Sequence, residues 1–261
     1  MKYLALILGI IAVTSCQKSI DIDLNEADPV VVIEANYTAE DSTVRVIITE
    51  TSNFFSGDEE PTIDNAVVTI TNQAGVSEQV PFIADGQYTL ENYIPEFGTT
   101  YTMTVLANGV TYTATCDMLT AIDQQPIIYD SIPPGPFSGD GGYVVALTYQ
   151  DPPAQGDYSS AHITRNGKRL KKLNDIVLND DQLTNGNLVI RPLFVKLFDS
   201  GDTVEIELRT INEKVHDYYQ ELISLTDPNS AAPANPNYQW ENRALGIFSA
   251  HSSSRQSVII Q

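Results

Sequence analysis

Basic residues are what this sequence is shortest of: fourteen lysines and arginines stand against 34 aspartates and glutamates, a formal net charge of −20. That balance excludes nucleic acid as a partner, because a polyphosphate backbone is held by a basic footprint. Histidine is scarce as well, with three copies, His162, His216 and His251. No His-Glu-x-x-His pattern and no paired-cysteine spacing occurs, so neither common zinc signature is present. Serines are plentiful, including Ser252, Ser253 and Ser254 beside His251, but there is no Gly-x-Ser-x-Gly elbow to expose a nucleophile. Apolar stretches are short throughout. The longest, residues 3–13, falls below the ~20 residues needed to span a bilayer and matches the core of a signal peptide instead.

That stretch is the most informative segment present. Lys2 precedes it and Val13-Thr14-Ser15-Cys16 follows it, giving the positive start, apolar centre and small-residue exit of a secretory signal. The ending resembles a bacterial lipobox, in which the cysteine is acylated and the chain is cut before it. A plain signal peptide with a chance cysteine is the competing reading. The expectation is a signal peptide over 1–15, lipidation at Cys16 with acyl chains such as palmitate, and a polar, acidic tether over 16–28. Two or more acyl chains anchor a protein stably where one does not. Lys18 ahead of Asp21 and Asp23 is loosely similar to a surface-export tag, which leaves the periplasmic face and the cell surface both open.

Of the two cysteines, a lipidated Cys16 leaves Cys116 without a partner. Cys116 alternates with Tyr112, Ala114 and Met118 on one strand face, so it reads as an inert core thiol.

From residue 29 the apolar pattern has period two. Strands are expected at 30–35, 43–49, 66–71, 77–83, 87–90, 101–107 and 110–118, with tight turns at Asp85-Gly86 and Asn108-Gly109. Seven short strands within about ninety residues predict an immunoglobulin-like sandwich over 29–121. Gln124-Gln125-Pro126 and Pro133-Pro134-Gly135-Pro136 then predict a Pro/Gly-rich linker or loop over 122–142. A second β-rich domain is expected over 143–261, with an Asn166-Gly167 turn. Its strands fall at 142–149, 160–165, 168–173, 187–191, 194–198, 202–211, 244–253 and 257–260. Between them, Ile211, Val215, Tyr218, Tyr219, Leu222 and Leu225 recur at helical spacing. That predicts one amphipathic helix near 212–225, capped by Asn212. The expected fold is mainly β: two β-sandwich domains, the first immunoglobulin-like, the second with the helix.

A series of short motifs in order carries a family resemblance. They are Gly98-Thr99-Thr100-Tyr101, Asn166-Gly167-Lys168, Asp180 and Asp181 before Asn185-Gly186, and Gly201-Asp202-Thr203-Val204. His216-Asp217-Tyr218-Tyr219, Pro233-Ala234-Asn235-Pro236 and Arg243-Ala244-Leu245-Gly246-Ile247-Phe248-Ser249 follow. Together with the lipobox, they resemble the Bacteroidota lipoprotein family called domain of unknown function 4249, over most of residues 16–255. The resemblance implies an outer-membrane lipoprotein that accompanies TonB-dependent transporters, and it supplies no catalytic residues.

Three functional classes follow. The first is a non-catalytic envelope lipoprotein that partners a TonB-dependent transporter. The second is a surface glycan-binding or adhesin-like module, for which Trp240 and Tyr238, in a Pro/Asn-rich loop, and the adjacent Phe54 and Phe55 are the aromatic candidates. The third is a cryptic hydrolase, with His251 its tempting base but a strand-edge histidine the plainer reading. His216 reads as solvated. No metal site or cofactor is expected, although Asp58-Glu59-Glu60, Asp64-Asn65 and Asn179-Asp180-Asp181 offer oxygens that calcium could use.

Overall fold

The computed structural model describes residues 28–52, 60–136, 138–180, 184–226 and 236–261. The first half is built from β1 (Val31–Thr38), β2 (Thr43–Glu50), β3 (Val67–Thr71), β4 (Ser77–Val80), β5 (Phe82–Ala84), β6 (Gln87–Leu90), β7 (Thr99–Ala107) and β8 (Val110–Met118). The second contains β9 (Asp123–Ile132), β10 (Gly142–Gln150), β11 (Tyr158–Arg165), β12 (Lys168–Arg169), β13 (Val177–Asp180), β14 (Leu188–Phe198) and β15 (Thr203–Ile211). Helix α1 (Glu213–Leu225) and β16 (Leu245–Ile259) complete it. Among the described residues the fold is mainly β with one helix, in sandwich architecture, as the alternating pattern predicts.

Three turns follow directly from residue type. Asp85-Gly86, Asn108-Gly109 and Asn166-Gly167 all hold positive φ at both positions, the geometry a two-residue hairpin connection with a type I′ turn needs. The cap of α1 is also as read, since the Asn212 side chain accepts from the Val215 N–H at 3.1 Å.

One long sheet runs β12-β11-β15-β16-β1-β2-β6-β5, with β13 also paired to β11. Two smaller sheets, β4-β3-β7-β8 and β14-β10-β9, complete the architecture. The continuity comes from β16. Its first part lies parallel to β1, with Ile33 beside Gly246 and Thr38 beside His251. Its second part lies antiparallel to β15, with Thr210 beside Ser252 and Thr203 beside Ile259. Where β1 and β16 meet, Gly246 has φ +92°, and a Cβ there would lie 2.2 Å from the Ile33 carbonyl oxygen, so only glycine fits.

Alternation then assigns the faces. Ile33, Ala35 and Tyr37 of β1 and Ala250 of β16 join one core, with Val68, Met103, Tyr101 and Cys116 from the first small sheet. Val204, Ile206 and Leu208 of β15 join a second core, with Val145, Leu147 and Leu193 from the other small sheet. In β16, Ser252 donates to the Leu119 carbonyl and Ser254 to the Ile122 carbonyl, which continues the same face from one core to the other. Both small sheets therefore cover one face of the long sheet. The opposite face carries Glu34, Asn36, Thr38, His162, Glu207, Arg209, Ser249 and His251. Helix α1 lies over part of it, with Val215 clustered with Ile211 and Ile247.

Several expectations change. The strand expected at 77–83 is split into β4 and β5, which lie in different sheets, and the one expected at 168–173 stops at Arg169. The stretch 122–142 is not loop throughout, because β9 occupies Asp123–Ile132 as an edge strand. Pro126 is accommodated where the β9–β10 register shifts between Ala146 and Thr148, a bulge at which the missing N–H costs no ladder bond. The strands expected at 187–191 and 194–198 are one strand, β14, with Pro192 inside it. It too is an edge strand, the position in a sheet where proline is tolerated, although Pro192 itself stands in register opposite Ala146. The last two expected strands are likewise one, β16.

Candidate functional site

On the open face of the long sheet lies a cavity of ≈ 570 Å³. Five adjacent strands form its floor, contributing His162 (β11), Arg209 (β15), His251 (β16), Glu34, Asn36 and Thr38 (β1), and Arg45 and Ile47 (β2). Arg169 of β12, the segment carrying Leu170, Lys171 and Ile176, and Tyr219 of α1 form the walls. Because β16 joins β15 to β1, neither half of the chain makes this floor alone.

Glu207 organises the cationic side of the site. Its carboxylate accepts from Arg255 at 2.8 Å and from Arg209 at 3.1 Å and forms an ion pair with Arg169 at 3.1 Å, with only 7% of its side chain exposed. Burial alone would raise its pKa, but Arg209, Arg255 and Arg169 outweigh that and hold it down to about 2. Three guanidinium groups on one carboxylate leave positive charge uncompensated. Among the described residues the cavity lining has four cationic side chains, Arg45, Arg169, Lys171 and Arg209, against one carboxylate, Glu34. In a chain with net charge −20 this is a local reversal of sign.

Both cavity histidines are buried. Ser160 Oγ lies 3.1 Å from His162 Nε2, and Ser249 Oγ lies 3.1 Å from His251 Nδ1. Each pair is two residues apart on one strand face, where period two brings side chains together. Burial, then Arg209, lowers His162 to about 2 and His251 to about 3, so both rings are neutral at physiological pH. Rings of such low basicity are weak proton acceptors. They are suited to hydrogen bonding. Among the described residues His251 Nε2 has no hydrogen-bond partner, although the residue is 1% exposed.

The sequence candidates are not brought together here. Trp240 is 2% exposed and its indole Nε1 donates to the Ile33 carbonyl at 3.2 Å. It plugs the end of the first core, so the stacking role considered for it is withdrawn: no ring face is free for a sugar. Tyr238 is exposed, with the Arg243 guanidinium 4.8 Å from its ring centroid. Phe54, Phe55 and Cys16 lie outside the described residues. His251 is not at a strand edge, since β16 is flanked by β15 and β1. His216 is not solvated as expected: its side chain is 12% exposed, packed 5.0 Å from the Tyr158 ring.

Of the calcium candidates, Asp64 accepts from the Gly86 N–H, and Asn179 is engaged by Ser159 and Arg191. Among the described residues no three His, Cys, Asp or Glu side chains converge as a metal would require. Sequence reading missed Arg45, Arg169, Glu207 and Arg209. For Glu207 and Arg209 the signal was the charged half of an alternating strand, Glu205, Glu207 and Arg209 against Val204, Ile206 and Leu208.

The fold and site define a mainly β sandwich protein with a cationic cavity on the uncovered face of its long sheet. The chain belongs to the family described as "Domain of unknown function (DUF4249)", whose pattern matches residues 17–257. No curated protein sequence matches it. Among solved structures, a two-domain fibronectin type-III segment of chicken tenascin is similar at 12% identity and a TM-score of 0.24, covering 71% of this chain and 92% of that one. The FN1–FN3 domains of chicken CNTN1 are similar at 8% identity and a TM-score of 0.28, covering 69% of this chain and 60% of that one. Likeness at this level carries no argument about function.

Proposed function

We propose that the protein is a non-catalytic binding module of the cell envelope, anchored to the outer membrane by a lipidated Cys16 and serving as an accessory of a TonB-dependent transporter. The observation that carries this reading is Val13-Thr14-Ser15-Cys16 at the end of a short apolar run. An acidic spacer follows it, and no helix among the described residues is long and apolar enough to cross a membrane. The cavity supports a binding role: its polar groups are placed to hold a ligand, and its histidines are poor bases.

The test is made in cells that express the full chain. Cys16→Ala should release the protein from the membrane fraction, and crosslinking of the wild type should recover a β-barrel transporter. Membrane association unaltered by Cys16→Ala, or repeated crosslinking without any channel protein, would sink the reading.

A further inference from the structure

We infer that the cavity on the long sheet is a binding site for an organic anion presenting a single carboxylate. This inference rests on the reading of the chain as a binding module, and not on its membrane anchor or transporter partner.

Three observations converge. The first is charge: four cationic residues against one carboxylate line the cavity. Glu207 engages Arg169 and Arg209 but is shared with Arg255 as well, so it does not neutralise them in full. Asp41 is paired with Arg45 at 2.7 Å on the exposed rim, and Lys171 has no ion pair among the described residues. Guanidinium groups hold a carboxylate through charge-assisted hydrogen bonds, as Arg209 and Arg255 do at Glu207. A singly charged head suits the site better than a doubly charged one, because Glu34 and Glu207 stand beside the same cations.

The second observation is an unmet hydrogen bond. His251 is 1% exposed, lines the cavity, and its Nε2 has no partner among the described residues. A buried polar atom left this way is costly, and a ligand group that pairs with it removes that cost. The Ser249 hydroxyl pairs with Nδ1, which leaves Nε2 as the ring atom for a polar group of the ligand to meet.

The third is size and wall chemistry. The volume, ≈ 570 Å³, is that of a small-molecule site and far more than a bare ion needs. Ile47, Leu170 and Ile176, with the ring of Tyr219, supply apolar surface next to the charges. The ligand should therefore carry a body as well as a head. A sugar acid and a short peptide terminus both answer that description.

The experiment is calorimetric titration of the full chain in detergent with four probes: a glucuronate-containing disaccharide, its methyl ester, an Ala-Phe dipeptide and the same dipeptide as its amide. Inorganic phosphate serves as a fifth. At least one free carboxylate is expected to bind about tenfold more tightly than its neutral counterpart, and which one identifies the source. Lys171→Ala and Arg169→Gln should each weaken that binding about three- to tenfold. The ¹⁵N resonance of His251 Nε2 should shift on saturation while the Lys171→Ala protein keeps its fold. Equal binding of acid and neutral forms would overturn the inference, as would phosphate binding better than either acid. A complex that leaves His251 Nε2 unmoved would place the ligand elsewhere. Failure here leaves the crosslinking result untouched, and failure there leaves this one.

Discussion

The Trp240 indole nitrogen donates to the Ile33 carbonyl oxygen across 3.2 Å, although the two residues are 207 positions apart. The bond joins the loop before β16 to β1, the strand that β16 lies against. Trp240→Ala removes a fully buried ring and that bond together, and should cost about 3–5 kcal/mol. Trp240→Phe keeps most of the volume and should cost less than half as much. Urea unfolding of the two variants checks the order, and a Trp240→Ala protein as stable as wild type would contradict the placement.

Acid should weaken this fold from near-neutral pH downward. His162 and His251 have folded values of about 2 and about 3 against an ordinary 6.5, so as pH falls below 6.5 the unfolded chain takes up protons that the folded one refuses. Their contribution is fully present above pH 6.5 and is lost as pH falls toward 3. Glu207, depressed from 4.5 to about 2, adds a further loss between those values. Each histidine can contribute at most ~1.4 kcal/mol per pH unit in that window. Denaturant unfolding at pH 7.5, 6, 5 and 4 gives the slope. Asparagine at position 251 should flatten it between pH 6.5 and 4.

Two charge substitutions should differ sharply. Glu207→Gln strips the negative charge from beneath Arg169, Arg209 and Arg255, and breaking such a buried pair costs about 3–5 kcal/mol. Arg45→Ala breaks a pair whose side chains are 51% and 46% exposed, and should cost less than about 1 kcal/mol. Thermal melts of both proteins provide the comparison.

The Cys116 thiol should be inert while the protein is folded. It is 1% exposed, and burial pushes it up to about 12. Its sulfur also accepts from the Ala250 N–H at 3.1 Å and from Asn212 Nδ2 at 3.3 Å. Iodoacetamide should label it no faster than the chain unfolds, and at once in denaturant. Cys116→Ala leaves a buried N–H unpaired and should cost about 1–3 kcal/mol.

Much of the fold was legible because it is local. The alternation in β1, β2, β7 and β8, the three turns with positive φ, and the Asn212 cap each depend on residues a few positions apart. The strand β9 was hidden by Pro126, whose effect depends on a bulge opposite Leu147 and on an edge position that only the sheet order reveals. The cavity was hidden for a deeper reason. His162 and Glu207 face each other across β11 and β15, and His251 stands beside Thr38 of β1, so the site exists only once strands distant in sequence are in register. Trp240 misled in the opposite direction: a loop aromatic looks available, but this one turns inward.

The path of β16 also sets a timetable. β1 is paired with β2 on one edge, but its second partner exists only when residues 245–251 have been made, long after β1 to β8 are complete. Until then the open edge of β1 offers unpaired backbone groups to any passing strand. Such distant pairing is slow, since the chain entropy of closing the loop is lost before the contacts form. The open floor of the cavity is the last part of the long sheet to assemble, so a truncated chain could not build it.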